Sequence, residues 1–110
     1  MDIVEYTKEV HRTCELQDQR ELFTLTALGL AGEAGEVVDL LKKVLYHGHE
    51  LDVTALRKEV GDLLWYLTLL CDTAGFTLDE AMQANVEKLR QRYPYGFDPQ
   101  RSQNRAHSPG

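Results

Sequence analysis

Proline is missing from the first 93 residues of this 110-residue chain; Pro94, Pro99 and Pro109 are all there is. Nothing upstream of Pro94 therefore forces a helix to end, since proline removes a backbone donor and clashes with the preceding turn. Cysteine is scarce as well. Cys14 and Cys71 lie far apart with no metal-type spacing, and both fall where apolar residues recur. They read as buried thiols of a reduced protein. Positive charge is also short: 12 Lys and Arg against 18 Asp and Glu leave a net charge of −6. That argues against a nucleic-acid polymer or an anionic membrane as partner, because both need a basic surface. It does not argue against a small anionic ligand, because a bound cation inverts the local sign. No run of about 18 apolar residues exists to span a bilayer. The opening "MDIVEYTKEV" has neither the basic nor the apolar region of a secretory signal, so a cytoplasmic location is expected. Valine and isoleucine never alternate with polar residues over a strand's length, and no repeat or low-complexity block appears. What remains is 43% hydrophobic and 27% charged, an ordinary globular composition. It suits one all-α domain whose single core has a thin margin, which association would widen.

Four helices are expected. The first runs from about Asp2 to Leu16, with Ile3, Tyr6, Val10 and Cys14 at helical spacing. The second begins near Asp18, where Asp18 and Glu21 have capping-box spacing, and reaches about Tyr46. "HGHELD" makes a loop in which His47 and His49 read as exposed residues. The third starts at Asp52, an N-cap, and runs to about Thr73, with Gly75 as its stop. The fourth opens on Thr77 and Glu80, a second capping box, and ends near Arg92. A domain over 1–97 and a polar, mobile tail over 98–110 are expected.

The second helix contains "GLAGEAGE", residues 29–36. Each glycine inside a helix costs about 1 kcal/mol relative to alanine. At about 100° per residue, Leu22, Thr26, Leu30, Val37, Leu40, Leu41 and Val44 fall within roughly 80° of Glu33. Glu33 thus lies inside the apolar stripe and Glu36 at its edge. On the third helix, Glu59 borders the stripe of Leu56, Val60, Leu63, Leu64, Leu67, Leu70 and Cys71, and Asp62 lies about 60° beyond it. Packed antiparallel, the two helices bring four carboxylates together. Such a group must raise its pKa values or take up cations. Oxygen-only ligands suit Mg²⁺, with Mn²⁺ as the alternative, and zinc would want Cys or His. Gly29, Gly32 and Gly35 fall on the Glu36 side, where they admit either another helix or a ligand close to the backbone. Asp39 has rotated out of the group, and Lys42 and Lys43 suit a helix C-terminus. Trp65 and Leu69 form a second apolar side of the third helix, expected to meet another subunit. Tyr66, close to Glu59 in angle, faces either the core or a base.

"GLAGEAGEVVDLLKK", "EVGDLLWYLTLL" and "NVEKLRQRYPYGF" resemble the MazG-like nucleoside triphosphate pyrophosphohydrolases over about residues 20–97. Glu33-x-x-Glu36 and Glu59-x-x-Asp62 match the two halves of that family's acidic signature. The resemblance implies a four-helix-bundle-like, oligomeric fold, a homodimer or homotetramer with sites completed by a neighbouring subunit. It implies Mg²⁺-dependent hydrolysis of a nucleoside triphosphate to the monophosphate and pyrophosphate, in house-cleaning or nucleotide-pool control. Glu33, Glu36, Glu59 and Asp62 would be the metal ligands, with Glu33 and Glu36 the candidates for accepting a proton from water. Asn85 and Lys88, matching the family's Asn-x-x-Lys, would contact phosphate or nucleotide, with Arg92 and Tyr93 beside them. Narrower alternatives are a dUTP or dCTP hydrolase or a phosphoribosyl-ATP pyrophosphohydrolase. A non-catalytic helical dimerisation or binding module is the alternative outside the enzyme class.

Overall fold

The computed structural model describes residues 1–104. Its helices are α1 (Ile3–Thr13), α2 (Gln19–His47), α3 (Val53–Ala74), α4 (Leu78–Arg92) and a short α5 (Pro99–Gln103). Among the described residues there is no strand. The fold is all-α, as expected.

The boundaries follow from cap chemistry. Asp2, Asp18 and Asp52 each accept a hydrogen bond from the backbone N–H three residues on. Each satisfies one of the orphan donors of a first turn, a contribution of about 1 kcal/mol. Thr77 and Glu80 close a complete capping box, each side chain accepting from the other's backbone N–H. Asp18 and Glu21 make only the first half of one. α3 ends on Gly75 at φ 93°, a left-handed conformation that favours glycine, and its N–H donates to Asp72 and Cys71 carbonyls. α1 ends at Thr13, short of Leu16. α5 lies at the start of the polar tail 98–110: Asp98 caps it, and Arg101 donates to the Arg92 and Gln91 carbonyls at the open end of α4. Residues 105–110 lie outside the described part.

α2 and α3 form the central pair, with α1 and α4 each packed on α3. On the second apolar side of α3, α1 supplies cover from within the chain. Trp65 Nε1 donates to Thr13 Oγ1 of α1 at 2.9 Å, and Leu69 and Val10 are buried. His11 Nε2 lies 3.0 Å from Asp72 Oδ2 on the surface of the same contact.

Val10, Leu69 and Cys71 are the buried apolar side chains of the described residues. Burying one large apolar side chain fully contributes about 1.5–3 kcal/mol, so three make a slender core. The exposed apolar surface is extensive. The stripe of α4 stands open, with Met82 50%, Val86 43% and Leu89 43% exposed, and so does Val60 on the main stripe of α3. No helix of the described residues is long and apolar enough to cross a membrane.

Candidate metal centre

The acidic residues occupy the middle of the α2–α3 pair. Glu33 on α2 and Glu59 and Asp62 on α3 each offer a carboxylate oxygen, all within 4.8 Å of one another. Helix geometry explains the convergence. Residues three apart on α3 share a face, and the antiparallel run of α2 brings Glu33 across from both. Glu33 and Glu59 are half-buried and Asp62 is exposed, so the group opens to solvent on one side.

Oε2 of Glu33 is shielded from water and has no hydrogen-bond partner. Two ionised carboxylates have no proton to share, so neither can serve the other. The Glu33 pKa is raised from 4.5 to about 7. The first cause is a hydrogen bond with Glu59, which exists only when one of the two holds a proton. Shielding from water comes next, followed by the charges of Glu59, Asp62 and Glu36. Every one of these influences pushes upward, and none comes from a lysine or arginine. The group is relieved by a proton or by a cation. Oxygen donors, an orphaned buried oxygen and uncompensated negative charge fit a hard divalent ion.

Glu36, the fourth expected ligand, is exposed one turn further along α2 and outside the close trio. It is near enough to raise the Glu33 pKa, as the smallest of the five influences. Asp39 lies outside the group, as read: it pairs with Lys43 at 3.0 Å and Lys42 at 3.6 Å. Those lysines, Lys43 foremost, lower its pKa. His47 and His49 are exposed.

The expected substrate contacts lie on α4 and its end. Asn85 is exposed and Lys88 half-buried. The carbonyl of Arg92 is held by Arg101, and Tyr93 caps α4 with its ring tilted on Phe97, centroids 5.3 Å apart. The two neighbours of the site that the sequence reading missed or left open are tyrosines. Tyr6 of α1, read only as part of an apolar stripe, donates its hydroxyl to the Gly61 carbonyl at 3.3 Å, between Glu59 and Asp62 in sequence. Its pKa is raised by burial first and by Asp62 second. Tyr66 lays its ring against Gly29 of α2. Of the three glycines, only Gly29 meets a neighbour this way. A Cβ at Gly32 or Gly35 would face open space.

An antiparallel helical pair with carboxylates converging from both members defines an all-α protein with an acid site suited to hard cations. Comparison with known proteins specifies the family. Residues 21–97 match the MazG nucleotide pyrophosphohydrolase domain, and the chain belongs to that family. It is also similar to the "Gene 37 protein" of Mycobacterium phage L5, 31% identical over 83 residues, 72% of this chain and 73% of that protein. No solved structure gives a significant match. α1, with Tyr6, precedes the matched residues.

Proposed function

We propose that the protein hydrolyses a nucleoside triphosphate to the nucleoside monophosphate and pyrophosphate, with Mg²⁺ or Mn²⁺ held by Glu33, Glu59 and Asp62 and supported by Glu36. The observation that carries this reading is the orphaned, shielded Oε2 of Glu33 inside a carboxylate trio, with no lysine or arginine among the influences on its pKa in the described residues. A divalent ion held there supplies Lewis acidity toward the phosphate oxygens.

The chain's own residues do the rest. Water cleaves the α–β anhydride: its oxygen bonds to phosphorus, the bridging bond breaks, and pyrophosphate leaves. Glu33 and Glu36 are the candidates to accept the proton that this water gives up. Exposed Glu36 reaches solvent-side water, and the rim position of Asp62 leaves room for phosphates. Asn85, Lys88, Arg92 and Tyr93 are proposed to hold the triphosphate or the nucleotide; lysine and arginine match phosphate oxygens in charge and geometry. The open apolar stripes support a homodimer or homotetramer in which a second chain covers α4 and completes the cleft. A cytoplasmic, pool-controlling role agrees with this chemistry.

A screen of common and damaged nucleoside triphosphates with Mg²⁺, scoring pyrophosphate separately from orthophosphate, tests the reading. Pyrophosphate release is expected from at least one of them, with a dUTP- or dCTP-only response or a phosphoribosyl-ATP-only response marking the narrower enzymes. Glu59→Gln and Asp62→Asn should each lower kcat at least about 100-fold, since each removes a charged ligand. Turnover retained in both refutes the assigned site. An inert wild type that still assembles favours the non-catalytic module.

A further inference from the structure

Gly29 and Glu33 are four residues apart on α2, and Asp62 and Tyr66 are four apart on α3. In both helices such a step returns to the same face, about 6 Å along the axis. The contact between Gly29 and Tyr66 therefore lies one turn from the acidic trio, on the same interhelical seam. It is very close. A Cβ built on Gly29 would fall inside the contact surface of the Tyr66 ring, against Cε1, Cδ1 and Cζ, under the 3.0 Å that real Cβ atoms keep. The glycine is what lets the ring sit against the α2 backbone.

The Tyr66 ring has a second neighbour. Trp65 meets it edge-on, with centroids 5.1 Å apart and planes at 82°. Trp65 is in turn tied to α1 by its bond to Thr13. A line of contacts thus runs from α1 through Trp65 and Tyr66 to the α2 backbone. A methyl group added at Gly29 and the Tyr66 ring would compete for the same space, with Trp65 edge-on against that ring.

We propose that Tyr66 and Gly29 form a positioning pair that sets the separation of α2 and α3 at the acidic trio, with α1 bracing it through Trp65. Tyr66 touches none of the reacting groups in this role. It acts through the spacing of Glu33 against Glu59 and Asp62. The metal arm of the test rests on the divalent-cation reading above; the spacing arm does not.

Three proteins decide it: wild type, Gly29→Ala, and Gly29→Ala with Tyr66→Leu. In crystal structures the carboxylate separations of the trio should grow in Gly29→Ala and return in the double variant. Mn²⁺ affinity by calorimetry should fall about 10- to 100-fold in Gly29→Ala, the range for supporting residues of a metal site, and recover in the double variant. A contact that only stabilises the fold would lower the melting temperature and leave both readouts unchanged in the folded protein, which overturns the proposal. If Gly29→Ala alone does not fold, the double variant decides: recovery of fold and separations supports the pair, and failure of both overturns it. A wild type that binds no Mn²⁺ sinks the metal reading, and the separations alone then decide the positioning role.

Discussion

Glu33 is the residue on which most of the chemistry converges, and its titration has a sign that can be checked. Its pKa is about 7 when folded against an ordinary 4.5. Below about 4.5 both folded and unfolded chains hold the proton. Between 4.5 and about 7 the folded chain keeps a proton that the unfolded chain has released, so stability falls as pH rises through that window. Urea melts in chelator should show this decline, complete above about pH 7, and Glu33→Gln should flatten it. Millimolar Mg²⁺ should act in the opposite sense. It competes with the same proton, so its stabilisation should be largest above about pH 7 and fade toward pH 5. A melting temperature that ignores Mg²⁺ at pH 8 contradicts the metal assignment.

At the scale of elements, α1 is attached by contacts of unequal weight. The Trp65–Thr13 hydrogen bond has ordinary length, and Trp65→Phe should cost about 1 kcal/mol by urea unfolding. The His11–Asp72 pair is about half exposed on both sides, so His11→Ala should change stability by less than about 1 kcal/mol. The helices were legible in the sequence because their ends are written in short-range chemistry: Asp2, Asp18, Asp52 and Thr77 cap where their spacing says they should, and Gly75 stops α3. The convergence of Glu33, Glu59 and Asp62 was legible because it needs only helical periodicity and one antiparallel pairing. The cover on Trp65 was not legible. Angular position shows that a side is apolar, but not whether α1 or a neighbouring chain meets it. The contact between Tyr6 and Gly61 was hidden for the same reason: a tyrosine on an amphipathic stripe looks like core until the register of two distant helices is known. α5 escaped because its cap, Asp98, and its anchor, Arg101, sit in a polar stretch with no periodicity to read.

For the molecule as a whole, the apolar surface left open decides the expectation. Met82, Val86 and Leu89 line one side of α4, and Val60 opens on α3, while only three apolar side chains are buried in the described chain. Surface of this kind supports the proposed association. Sedimentation velocity should give a mass of at least two chains. Met82→Asp, placed in the open stripe, should shift it toward one chain and lower pyrophosphate release at the same enzyme concentration. A monomeric wild type at micromolar concentration would contradict this.

The thin interior has a thermodynamic corollary. If most of the apolar surface that favours the native state is covered only by a second copy, folding and association are a single equilibrium. Dilution then acts as a denaturant. Each tenfold step would remove about 1.4 kcal/mol from the apparent stability of a two-chain assembly, and heat should melt a dilute sample sooner than a concentrated one.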